Sequence, residues 1–238
     1  MSRALGIKAL LFDVFGTVVD WRGSVIREAA AFGRLYGIDA DWQAFADAWR
    51  GKYGPFMDKV RSAALPWTNL DGLHRLALEE LLAEFGIEGV SDSAKAELNL
   101  AWHRLDPWPD APAGLARLKA RFIIAAMSNG NVALMTNLAR YAGLPWDCIL
   151  GAELARAYKP DPRTYLTGVQ LLGLQPAEAM MVAAHPGDLQ AAAALGLRTA
   201  LVPRPLERGR AAAPEPIATE SFDVVAADFR DLAAQLGG

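Results

Sequence analysis

The sequence predicts a doubly wound parallel α/β fold, interrupted after its first strand by an all-helical insert. Three observations point there. Residues 9–12 form an apolar run of strand length that stops at a carboxylate, Asp13, and bends at Gly16. Residues 41–106 hold no convincing strand pattern. From residue 113 onward, short apolar runs alternate with stretches of helical spacing, as strands joined by crossover helices do.

The elements follow in order. After the strand at 9–12, residues 20–37 read as a helix with Val25, Ile26, Ala29, Ala30 and Leu35 near helical spacing. Trp42, Phe45, Ala46 and Trp49 suit one face of a second helix. A third spans 71–85, with Leu73, Leu76, Leu81 and Leu82 inward and Asp71 as its cap. A fourth covers about 92–105. Three prolines within 106–112 then break the pattern and mark a return linker. Beyond it come helix 113–120, strand 122–127, helix 131–142, strand 149–150, helix 162–172, strand 179–184, helix 189–195, strand 199–202 and a last short strand within 222–226. The expected architecture is a Rossmann-like core of residues 1–20 and 107–238, with a helical cap domain of residues 21–106 over its strand ends.

Bulk properties bound the function. At 238 residues and 53% hydrophobic content the chain can bury a large core, which excludes disorder. A net charge of −3 supplies no basic field for nucleic acid. One cysteine, Cys148, excludes an internal disulfide and fits a reducing compartment; its apolar setting at 146–150 reads as a buried structural thiol. No signal-peptide segment and no apolar stretch of bilayer length is visible, so a cytoplasmic protein with no membrane partner is expected. No His, Cys or acidic cluster has metal-ligand spacing, and neither metal nor cofactor is expected.

Four strand ends carry the chemistry. The first delivers Asp13 and Thr17, the second Ser128-Asn129-Gly130, the third leads to Tyr158-Lys159-Pro160-Asp161, and the fourth leads to His185 and Asp188. Alone, each is an ordinary turn, cap or solvated loop. Together they place an ordered Asp, Ser, Lys and Asp at the sheet edge where open α/β folds bind ligands.

This ordered set resembles the haloacid dehalogenase superfamily, and more narrowly its L-2-haloacid dehalogenase (type II) branch. The narrower resemblance rests on Phe15, on Trp49-Arg50 in the insert, on the run from Lys159 to Tyr165, and on Ala183-Ala184-His185 with Asp188 and the 197–204 segment. Phosphatases of the superfamily carry a second aspartate two residues after the nucleophile. It protonates the leaving alcohol, and magnesium neutralises the phosphate. Here that position is Phe15, which has no proton to give, whereas a halide leaves as a stable anion and needs none.

The resemblance implies hydrolytic dehalogenation of short 2-haloalkanoic acids, haloacetates and fluoroacetate among them, to 2-hydroxy acids. Asp13 would attack C2, expel halide and form an ester that water then hydrolyses. Lys159 would keep Asp13 ionised and aimed, and Thr17 would hold its other oxygen. Ser128 and the amides of Val14 and Phe15 would bind the substrate carboxylate, and Arg50 and Asn129 the halide. Tyr165 would support Lys159 or the substrate carboxylate, and Asp188 would orient Lys159 and the hydrolytic water. Trp49 and Tyr53, among the insert's aromatic residues, would line the halide pocket. The resemblance also suggests a homodimer formed through the cap. The family's usual Ser-x-Asn is replaced here by Ala183 and His185; His185 would act as base toward the water, with Asp188 as its own or Lys159's partner, or else narrow the pocket. Two other readings stay open: a hydrolase of another small substrate such as a phosphate ester, and a catalytically silent binding member.

Overall fold

Ala9–Phe12 (β1) is buried on both faces, and such a strand belongs at the centre of a parallel sheet. The computed structural model describes residues 6–209 and 221–237, so residues 1–5, 210–220 and 238 of the predicted core segments lie outside it. In it β1 pairs in parallel with Ile123–Ser128 (β4) on one side and Ala179–Ala183 (β6) on the other. Cys148–Gly151 (β5) extends the sheet beyond β4, and Arg198–Leu201 (β7) and Val224–Val225 (β8) extend it beyond β6. The order β5-β4-β1-β6-β7-β8 reverses direction at β1, which is the doubly wound arrangement, with its crevice at the carboxyl ends of β1 and its neighbours.

The sheet sorts its side chains by strand alternation. Leu10, Phe12, Ile124, Ala126, Met180 and Val182 face one cluster, with Ala111–Lys119 (α6), Val132–Ala142 (α7) and Phe229–Gln235 (α11). Leu11, Ala125, Met127, Met181 and Ala183 face the other, with Pro162–Leu171 (α9) and Pro186–Ala194 (α10). Helices therefore cover both faces.

Between the sheet's first and second strands in the chain lies the insert. A two-residue antiparallel ribbon, Val19–Asp20 (β2) with Asp106–Pro107 (β3), brings its entering and leaving chains together. Its helices are Trp21–Tyr36 (α1), Trp42–Gly51 (α2), Tyr53–Arg61 (α3), Leu70–Glu84 (α4) and Asp92–Asn99 (α5), closed by a 3-10 turn at Leu100–His103. Asp20, Asp41, Asn69 and Ser91 cap four of them with side-chain bonds to the free first-turn amides. A four-residue helix, Ala152–Ala155 (α8), follows β5.

Three details differ from the sequence expectation. Asp71 is not a cap: Asn69 takes that place, and Asp71 bonds His103 and Asn131 instead. Leu35 and Leu76 face outward, at 76% and 41% exposure, because they fall at the edges of their helices' apolar arcs. Cys148 is half-buried at the start of β5 rather than enclosed. Among the described residues no helix is long and apolar enough to cross a membrane.

Candidate active site

Asp13 follows the last residue of β1 and is nearly buried at the crevice. Both of its oxygens are held. Lys159 Nζ donates to Oδ1 at 3.0 Å, and the Thr17 hydroxyl donates to Oδ2 at 2.7 Å. His185 Nδ1 lies 3.0 Å from the same Oδ2. The Thr17 hydroxyl in turn accepts from the amide of Ala184, just past β6, which ties the two strand ends together. Arg204 grips the turn from behind: its Nε donates to the Thr17 carbonyl at 2.9 Å while its guanidinium pairs two-pronged with Asp110.

Lys159 comes from the segment between α8 and α9. Its ammonium bridges Asp13 and Asp188, donating to Asp188 Oδ2 at 2.5 Å, and its backbone amide donates to Asn129 Oδ1 at 2.8 Å. Asp188 sits in the first turn of α10, where the helix dipole favours a carboxylate, and its Oδ1 accepts from the Tyr165 hydroxyl at 2.5 Å. Tyr165 thus reaches Asp188 and not Lys159.

Burial and charge set the protonation states. Burial works to raise the Asp13 carboxyl, but the Lys159 charge and the His185 and Thr17 bonds outweigh it and hold the group well below the usual range. Burial opposes the Lys159 charge, yet the two carboxylates keep it firmly protonated. Asp188 is pushed up, mainly by burial and, despite its Lys159 contact, by the nearby Asp13 charge. For His185 burial favours the neutral ring, but bonds to Asp13 and Glu207 and their charges prevail, and the imidazole is raised to about 10.

Glu207 is the residue that sequence reasoning missed. It lies in the loop after β7, and its Oε2 is 2.9 Å from His185 Nε2. The Trp21 indole donates to its Oε1 at 2.9 Å. Its loop has neither strand nor helix periodicity, so only the close approach to Gly16 hints at it. Gly16 has φ +84, and a Cβ there would meet Glu207 Oε1 at 2.1 Å.

A cavity of roughly 330 Å³ opens onto Asp13. Of the residues singled out in the sequence, the structure brings Asp13, Phe15, Arg50, Asn129, Lys159, Tyr165, His185 and Asp188 to its wall. Val14, Thr17 and Ser128 are fully buried behind it, and the Ser128 hydroxyl accepts from the Gly130 amide. Arg50 projects from α2, its guanidinium 4.1 Å over the Tyr53 ring and 5.4 Å over Trp21, and its Nη1 is buried with no protein partner among the described residues. Phe15 stands edge-on to Tyr53 and Trp102. Trp49 does not reach the cavity: it is wholly buried and its indole donates to the His74 carbonyl at 3.1 Å. Tyr53 does line it.

The haloacid dehalogenase-like hydrolases match residues 7–196. The chain belongs to this family. Within the family it is similar to a crystal structure of the L-2-haloacid dehalogenase PA0810, at 48% identity and TM-score 0.93 over 97% of this chain and 99% of that one. It is similar also to the defluorinating L-2-haloacid dehalogenase Rha0230, at 46% identity and TM-score 0.94 over 98% and 96%. The (S)-2-haloacid dehalogenase of Xanthobacter autotrophicus is 32% identical, the match covering 83% of this chain and 76% of that protein. Glu207 lies past the residues that match the haloacid dehalogenase-like family.

Proposed function

We propose that this protein hydrolyses short 2-haloalkanoic acids to 2-hydroxy acids through an ester on Asp13, without a metal ion. The observation that carries the reading is the pairing of Asp13, ionised and held at both oxygens, with a hydrocarbon ring at Phe15 on the same cavity wall. Displacement at carbon needs a fixed anionic nucleophile in a site that keeps water away, and no acid for the leaving group. The Lys159 ammonium, set between two carboxylates, supplies the local positive charge. The dehalogenase relatives, one of them defluorinating, support the same substrate class.

In this reading Asp13 attacks C2 from the side opposite the halogen and inverts the centre. The leaving halide is received by Arg50, Tyr53 and Asn129. Support comes from the unpartnered Arg50 Nη1 and from the protonated Tyr53 hydroxyl, whose pKa burial raises. Of the groups expected to hold the substrate carboxylate, Phe15 lines the cavity, whereas Val14 and Ser128 are fully buried behind its wall. Residues 21–106 serve as the cap, lending Arg50 and Tyr53 to a site whose nucleophile belongs to the sheet. Asp188, fixed by Tyr165, keeps Lys159 in place. His185 takes a proton from the hydrolytic water, with Glu207 and not Asp188 behind it.

The test is halide release from chloroacetate and fluoroacetate in the presence of EDTA. Wild type is expected to release halide, and Asp13→Asn to release none. Single turnover in oxygen-18 water should leave label in the Asp13 carboxyl, because water attacks the aspartyl carbon. An enzyme inert to every small halogenated acid that cleaves phosphate esters when given magnesium would overturn the reading.

A further inference from the structure

His185 stands between two carboxylates that belong to different parts of the chain, Asp13 at the end of β1 and Glu207 after β7. Resting on the dehalogenase reading, we infer that Glu207 is a positioning residue: it holds the Nε2 proton of His185, so that Nδ1 becomes the base for ester hydrolysis once Asp13 has been alkylated.

The geometry gives each ring nitrogen a separate task. Nδ1 lies 3.0 Å from Asp13 Oδ2, beside the carbon that water must attack. Nε2 lies 2.9 Å from the Glu207 carboxylate, whose other oxygen accepts from the Trp21 indole and sits in the space that Gly16 leaves open. The other charged groups around the imidazole have partners of their own. Lys159 bridges the far oxygen of Asp13 to Asp188, and Arg50, from α2, bears on Glu207. At rest the ring lies between two anions and is an imidazolium. It has no lone pair for water in that state.

Alkylation changes this. The Asp13 O–C bond forms, the C–halogen bond breaks, and the electron pair leaves with the halide. One of the two anions that held the imidazolium has then become a neutral ester. The Nδ1 proton departs to solvent through the ring's exposed edge, the side chain being 36% exposed. Glu207 keeps the other proton on Nε2, which fixes the tautomer. Water then adds to Asp13 Cγ, giving one proton to Nδ1. The Cγ–O ester bond breaks, and the second water proton ends on the product hydroxyl. Carboxylate and imidazolium are both restored. The sum is one water consumed and one halide, one hydroxy acid and one proton released, with no other reactant. The chemical state of Asp13 thus decides whether His185 is an ion-pair partner or a base.

Glu207→Gln tests this. Its amide oxygen still accepts from Trp21, but its NH2 faces Nε2 and favours the opposite tautomer, with the proton on Nδ1. Single-turnover kinetics with chloroacetate separate chloride release from ester hydrolysis, and intact-protein mass spectrometry follows the ester. The expected result is a retained chloride burst, an ester that persists, and hydrolysis slowed about 100-fold, the lower end of what a positioned base contributes. The pH dependence of hydrolysis should flatten. Hydrolysis with the wild-type rate and pH profile would overturn the inference. So would an equal loss of burst and hydrolysis, since Glu207 would then merely hold the site together. Wild type that releases no halide at all would fail at the earlier reading, a distinct outcome.

Discussion

On the dehalogenase reading, Phe15 and His185 each have a measurable consequence. Phe15 is 2% exposed and packed edge-on against Tyr53 and Trp102. Phe15→Asp would bury a second, unpaired carboxylate beside Asp13. It is expected to cost roughly 3 kcal/mol or more in a urea titration and to abolish halide release without creating a phosphatase. His185, held protonated up to about 10, links folding to pH. Its folded pKa lies above the unfolded value, so its stabilisation is complete below about 6.5 and fades as pH rises through about 10. His185→Asn should therefore flatten the loss of urea midpoint between neutral and alkaline pH. It should also flatten the pH profile of ester hydrolysis; a profile unchanged from wild type would exclude a base role. Asp13, Lys159 and Asp188 were visible in the sequence because each follows a buried strand at a sheet edge. Glu207 was not, because its meaning lies in contacts to residues 16, 21 and 185 that no local pattern encodes.

At the scale of elements, the strands were legible and the helix faces less so. A run such as 179–184 must be buried on both faces, and period and length alone betray it. A helix face instead has edges, and spacing alone cannot say whether Leu35 or Leu76 falls inside the arc. The same limit hid the difference between Asn69 and Asp71, two good capping residues within one turn, of which only one bonds Gly72 N. The end of β5 shows how an element positions chemistry. Gly151 has φ +123, and a Cβ there would lie 2.0 Å from the Ser128 carbonyl oxygen at the end of β4. Gly151→Ala must therefore displace the Ser128-Asn129 segment or the end of β5. The expected outcome is a stability loss of about 1–3 kcal/mol together with a raised KM for haloacids, since Asn129 braces both the wall and the Lys159 backbone. A variant with unchanged KM would show that the strand end tolerates the shift.

Across the whole molecule, the sheet side supplies Asp13, Lys159 and Asp188 while the insert supplies Arg50, Tyr53 and Met57, so the cavity exists only where the two meet. The seam is polar. The Tyr158 hydroxyl donates to the Thr68 carbonyl at 2.6 Å, Asn131 donates to Asp71 at 2.8 Å, and Asn137 lies 3.0 Å from His103. Arg61, at the end of α3, donates to the backbone carbonyl of Lys159, the residue whose ammonium bridges the two aspartates. The hydrogen bonds of the seam part readily, because water replaces each at little net cost, typically about 1 kcal/mol. On the proposed reading, such a junction suits an insert that acts as a cap, admitting a small anion and then excluding water. Arg61→Ala removes the bond that couples the insert directly to the Lys159 backbone without touching the Asp13 or Asp188 side chains. Closure should become less favourable by about 1–2 kcal/mol, which corresponds to a KM for chloroacetate raised roughly 5- to 30-fold. The rate of the chloride burst at saturating substrate should fall much less, because the closed form is the same once reached. Steady-state and single-turnover kinetics on the same preparation distinguish the cases. An equal fall in burst rate would mean that Arg61 aligns Lys159 itself, and the cap's docking would then be part of nucleophile positioning and not only of access.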